Sequence, residues 1–218
     1  MKRWRDSLGP FAIAVILGVT IYVTADHSWR SLLKTELPDL DDLTFINKAI
    51  DRLVWPPQSH QKLSSYQRHA WIRQNEPALR MVRRGLKLPY HVTDPACFDF
   101  RCYCHEHPAT GLAELLVQEG NERDWDRMPD CALRCYLDVV KLGTALTHGG
   151  PTEDYSFGIR LLERATRELK GARTHASRAG CRTVARELRI LAGRLGPAAN
   201  AIHFDRVVLR HRAHGRWE

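Results

Sequence analysis

The densest group of reactive side chains in this 218-residue sequence lies near its middle, in a stretch without helical periodicity. Cys97, Cys102, Cys104, His105 and His107 fall within residues 97–107. Thiolate and imidazole are the ligands that Zn²⁺ prefers, and four of these five groups meeting at one point would hold an ion. The spacing does not match the common sites. Cys102 and Cys104 are separated by one residue, whereas zinc ribbons and fingers use two to four. Disulfide chemistry competes for the same sulfurs, because a metal needs thiolates and an oxidised pair has none. The chain holds six cysteines, the others being Cys131, Cys135 and Cys181. Outside a reducing compartment an even number suits disulfides, and three bonds leave 15 connectivities open. Cys131 and Cys135 stand four apart on an expected helix, so they share a face and read as small buried hydrophobes beside Tyr136.

The familiar catalytic spacings are missing. His105-Glu106-His107 sets its histidines two apart, which is off a common helix face, so it is not the His-Glu-x-x-His of metalloproteases. There is no Gly-Lys-Ser/Thr phosphate loop, no Gly-x-Ser-x-Gly elbow and no Gly-x-Gly-x-x-Gly turn. Asp94 and Asp99 near His91 could form an acid/base group, although loops also use such residues for turns and caps. No catalytic residue, metal ligand or cofactor site is assigned from the sequence, and the expectation is a protein that is not an enzyme.

Arginine supplies the other pattern. Arg178, Arg182, Arg186 and Arg189 recur at intervals of four, four and three, which lines them up along one side of a helix. Arg194, Arg206, Arg210 and Arg212 extend the basic stretch, with His211 and His214 beside them. From Arg160 to Glu218 there are 14 basic and 5 acidic residues, and the rest of the chain has 19 and 20. The formal net charge of +8 therefore belongs to the C-terminal quarter. Such a stripe is either a solvated helix face, a surface for anionic lipid head groups or a surface for an acidic protein partner. Near an anionic membrane each basic side chain contributes about 1 kcal/mol. No nucleic-acid motif accompanies it, and nucleic acid is not expected as a partner.

The elements that position these residues read as helices throughout. Asp41–Val54 carries Leu43, Ile46, Ile50 and Leu53 at helical spacing, and Pro56-Pro57 ends it. A second helix begins at a cap at Ser64 or Ser65 and runs through Trp71, Ile72, Ala78, Leu79, Val82 and Leu86. Residues 89–108 form an irregular connection. A third helix covers Thr110–Gln118, with Leu112, Leu115 and Leu116 inside and Asn121–Asp126 as a turn or an exposed continuation. A fourth has Pro129 in its first turn and Ala132, Leu133, Tyr136, Leu137, Val140, Leu142 and Leu146 on its apolar face. Thr152 is expected to cap a fifth, which ends at Gly171. A sixth spans about Ser177–Leu195, with Cys181, Val184, Leu188, Leu191 and Leu195 opposite the arginines, and a last one covers about Ala198–His211. Strand alternation is nowhere convincing. The fold class is all-α, an N-terminal transmembrane helix followed by antiparallel helical hairpins.

The N-terminal segment supports that first helix. Lys2, Arg3 and Arg5 precede Leu8–Ala25, whose 18 residues carry no charge. As a helix this run is about 27 Å long, close to the ~30 Å of a hydrocarbon core. Trp4, Tyr22 and Trp29 flank it as interfacial aromatics do, and the basic flank puts the N-terminus in the cytoplasm. The competing reading is a signal peptide cleaved after Val23-Thr24-Ala25, which would release the rest as a secreted protein. The organisation expected is an anchor at 1–27, a linker and first amphipathic helix at 28–64, and a helical domain at 65–218.

Several short motifs carry a resemblance. They are Asn75-Glu76-Pro77-Ala78-Leu79, Arg83-Arg84-Gly85, Leu115-Leu116, Gly120, Trp125-Asp126, Ala132-Leu133, Leu142-Gly143 and Gly149-Gly150. Asp205-Arg206 stands where a Glu-Arg pair is expected. Over about Trp71–Arg210 the chain resembles uncharacterised, N-terminally anchored helical proteins of planctomycete-type bacteria. The resemblance implies topology and location, and no activity. Gly120…Ala132-Leu133…Tyr136 also resembles one hairpin of a tetratricopeptide-type array, though no second copy follows at a period of about 34 residues. The function expected is a membrane-tethered, extracytoplasmic interaction or scaffold module. The alternatives are a metal-binding or enzymatic domain built on residues 97–107, and binding of anionic lipid or an acidic partner by the arginine stripe.

Overall fold

A computed structural model of the chain describes residues 42–55, 63–88, 107, 109–148 and 150–213. The apolar run Leu8–Ala25, and Cys97, Cys102, Cys104 and His105, lie outside the described residues. So do His91, Asp94 and Asp99. Met1–Leu40 and Asp41–Glu218 are separate compact units, and everything below concerns the second.

Eight helices follow in order: α1 Asp42–Asp51, α2 Ser65–Gln74, α3 Glu76–Gly85, α4 Thr110–Trp125, α5 Pro129–Leu146, α6 Thr152–Ala172, α7 Arg178–Ala192 and α8 Ala198–Ala213. The described residues contain no strand, so the class is all-α. Among them no helix is long and apolar enough to cross a membrane.

Local signals account for four of the helix starts. Ser64 closes a capping box with Gln67: the Gln67 N–H donates to Ser64 Oγ, and the Ser64 N–H donates to Gln67 Oε1. Ser177 accepts from the Gly180 N–H and starts α7. Pro77 and Pro129 sit in the first turns of α3 and α5, where a missing N–H leaves nothing unpaired.

Two expectations need correction, and one left open is resolved. The stretch 64–86 is two helices, because the chain breaks at Asn75. That side chain is 1% exposed and pairs with other backbone: its Oδ1 accepts from the Val54 N–H, and its Nδ2 donates to the carbonyls of Val54 and Trp71. Of the two readings of Asn121–Asp126, the helical continuation holds, and the third helix runs to Trp125. It ends in a Schellman turn, with Met128 N–H donating to the Arg123 carbonyl and Arg127 N–H to that of Asp124. Thr152 does not cap its helix. Pro151 takes the cap position, while the Thr152 N–H and hydroxyl both donate to the Asp205 carboxylate.

α4 is the central helix. Every residue from Gly111 to Gly120 is buried, including Glu114, Gln118 and Glu119. α5 packs along it, α6 along α5, and α3 on α1; α7 lies against α5 and α8 against α6. The α5–α6 crossing is close because two glycines face each other. A Cβ on Gly143 would come 2.9 Å from the Gly158 carbonyl oxygen, and one on Gly158 2.6 Å from that of Gly143. Gly120 meets the Tyr136 ring in the same way, so the hairpin motif read from the sequence is a small-on-large contact between α4 and α5.

Candidate functional site

Polar groups concentrate in three places: a latch at His107, a charged groove between α2–α3 and α4, and the outer side of α7.

His107 stands at the end of the Cys/His-rich stretch, just before α4. Its ring is stacked on Phe157 at 4.0 Å between centroids. Nδ1 accepts from the Ala109 N–H at 3.1 Å, which puts the proton of the neutral ring on Nε2. Nε2 lies 2.9 Å from Asp154 Oδ1 on α6. Both ring nitrogens are thus engaged within the fold, and this histidine fastens the start of α4 to α6. A metal site on residues 97–107 would have to use the other four groups. Among the described residues no cluster of histidine, cysteine and carboxylate suits a metal ion.

Cys131, Cys135 and Cys181 are free thiols. Cys135 is buried as expected of a core residue, and Cys131 is half-buried on the same helix face. Burial, reinforced by the charge of Glu119, pushes the Cys135 thiol up to about 12, so it is not a nucleophile at neutral pH.

Arg83 organises the floor of the groove. Its Nη2 donates to Glu119 Oε2 at 2.6 Å and its Nε to Asp138 Oδ2 at 2.8 Å, joining α3 to α4 and α5. Burial alone would lower the Arg83 pKa, but hydrogen bonds and charge from the two carboxylates outweigh it and raise it. Desolvation raises the Asp138 pKa against the pull of Arg83. Farther along, Glu122 meets Arg68 at 3.2 Å and His69 at 3.9 Å, binding α2 to α4. A second partly buried pair, Arg164 with Glu114 at 2.6 Å, ties α6 to α4.

The groove above this floor has a volume of about 450 Å³. His69, Ile72 and Arg73 line it from α2, Glu76, Leu79, Arg80 and Arg83 from α3, and Glu119, Glu122, Arg123 and the cap residue Asp126 from the α4 side. Tyr66 and Trp125 lie one turn beyond the His69–Glu122 contact, on α2 and α4 respectively. They are 84% and 83% exposed. Sequence reading missed this site entirely. The groove residues are scattered over 69–126 in two segments, and nothing in either segment announces the other. The only available signal was a pair of large aromatics, Tyr66 and Trp125, at positions off the apolar helix faces.

The arginine stripe stands where the sequence placed it. Arg178, Arg182, Arg186 and Arg189 are all exposed, and Val184 and Leu191 on the other side of α7 are buried. Leu195 departs from the expected inner face, being past the helix end and 44% exposed.

Comparison with protein-family models, with curated proteins and with solved structures finds no match to this chain.

Proposed function

We propose that this chain is a membrane-tethered helical interaction module, with Leu8–Ala25 as its anchor, its domain on the extracytoplasmic side and its partner held in the α2–α4 groove. The observation that carries the reading is the groove of about 450 Å³ itself, lined by charged side chains from three helices, two of which also carry the exposed rings of Tyr66 and Trp125. Trp, Tyr and Arg are the residue types that dominate binding energy at interfaces. The groove walls supply charges of both signs for orientation, from Arg73 and Arg123 to Glu76 and Asp126. Buried charge in the domain is tied up in ion pairs between helices, which is how a rigid scaffold is built rather than how a proton is moved. Stacking of consecutive hairpins, α4 with α5 and α5 with α6, suits a tetratricopeptide-like or bundle arrangement of the resembled type.

The test uses full-length protein in detergent as bait. Wild type should retain a defined polypeptide that the double variant Tyr66→Ala/Trp125→Ala releases at least about tenfold more readily, since central aromatics carry 2 kcal/mol or more at such surfaces. Both substitutions are at exposed positions, so folding should be unaffected. An identical bound set for the two proteins would place the partner elsewhere.

A further inference from the structure

We infer that the outward side of α7 docks on anionic phospholipid head groups, those of the bilayer that Leu8–Ala25 enters; the inference rests on the tethered reading above. At 100° per residue, Arg178, Arg182, Arg186 and Arg189 fall within about 80° of one another on the helix. All four are exposed. Among the described residues none of them has an ion-pair partner. Elsewhere in the domain Arg68, Arg83 and Arg164 meet carboxylates of other helices and tie those helices together. The α7 guanidinium groups are instead left to solvent. The one acid on α7, Glu187, turns to Lys141 of α5 at 3.9 Å and does not neutralise the stripe.

Charge and shape favour a membrane over a folded acidic partner. The stripe lies along the exposed outer side of a single helix. A row of guanidinium groups on such a side suits a plane of phosphates, each of which arginine can engage bidentately. Residues 160–218 carry 14 basic against 5 acidic side chains, so the field around α7 is positive well beyond the four arginines. Ile190 borders the stripe and is 46% exposed, an apolar side chain that can enter the head-group layer. The tether makes this an intramolecular contact. Residues 26–41 reach at most about 55 Å when fully extended, which keeps the bilayer at high effective concentration.

The experiment places full-length protein in lipid nanodiscs of phosphatidylcholine alone, or with about 30% phosphatidylglycerol. Arginine modification by phenylglyoxal is then followed peptide by peptide. Exposed Arg52 and Arg127 serve as internal references. The expected result is co-migration with both kinds of disc. Labelling of Arg178, Arg182, Arg186 and Arg189 should be about fivefold slower on the anionic discs alone, and restored by about 0.5 M salt. Co-migration with both discs and equal labelling on both overturns the lipid assignment while leaving the tether intact. Equal labelling that soluble poly-glutamate slows overturns it in favour of an acidic polypeptide. Failure to co-migrate with either disc overturns the tether, and this inference with it.

Discussion

Arg83 holds two carboxylates from different helices, and that makes it the residue on which the groove's floor depends. Replacing it with Met keeps the length of the side chain but leaves Glu119 and Asp138 without their countercharge. Removing one member of a buried pair costs about 3–5 kcal/mol; Arg83 is a third exposed, so about 2 kcal/mol is expected at pH 7. The loss should depend on pH. Burial raises the Asp138 pKa above its unfolded value of 3.8, so the folded state favours the protonated acid. Its stabilising contribution is complete below that unfolded value and is lost as pH rises through the raised folded one. Without Arg83 the folded pKa rises further, so Arg83→Met should lose less stability at pH 4.5 than at pH 7, in urea melts of both proteins. A pH-independent difference would mean that Asp138 is not charged in the native domain. Asn75→Ala is a second test at this scale. It removes an amide that serves the Val54 backbone in both directions, and a loss of about 2–3 kcal/mol is expected in the same melts. Neither role was legible in the sequence. Arg83 lies 36 and 55 positions from its carboxylates, and no local pattern records a partner at that distance. The arginine stripe was legible because its spacing is contained in one helix.

The elements divide in the same way. Ser64 and Ser177 announce their helices because a cap acts on N–H groups two or three residues on. The break at Asn75 depends on Val54, a residue from another element, so only Pro77 hinted at it. Glycines show which contacts the sequence leaves silent. Gly143→Ala and Gly158→Ala each put a methyl group against the facing backbone and should destabilise by about 1–3 kcal/mol. Gly171, near the end of the same α6, has open space around it, so Gly171→Ala should stabilise by about 0.5 kcal/mol. Thermal melts of the three variants separate the cases; equal effects would mean that α5 and α6 do not cross at the glycines. The Schellman turn after α4 supplies a further test. Arg127 occupies the left-handed region at φ 59°, a position where glycine is free of the Cβ penalty. Arg127→Gly should raise stability by about 1 kcal/mol, and a destabilised variant would contradict the turn as described.

At the scale of the molecule, the described residues form an all-helical domain with two kinds of outward feature: a charged groove between α2–α3 and α4, and a row of exposed arginines on α7. The sequence made the all-helical class legible through the 3.6-residue period of its apolar positions, and the concentration of basic charge through composition alone. It could not show that Gly111–Gly120 of α4 are buried on all sides. Glu114, Gln118 and Glu119 look like the solvent side of an amphipathic helix; inside, Arg164 meets Glu114, Arg83 meets Glu119, and Gln118 donates to Glu114. Whether the domain works at a membrane is decided by the mature N-terminus of the protein recovered from its native cells after alkaline carbonate washing. A tethered chain stays in the carbonate-resistant membrane fraction and still begins within residues 1–7. A carbonate-released chain beginning at Asp26 would contradict the tether.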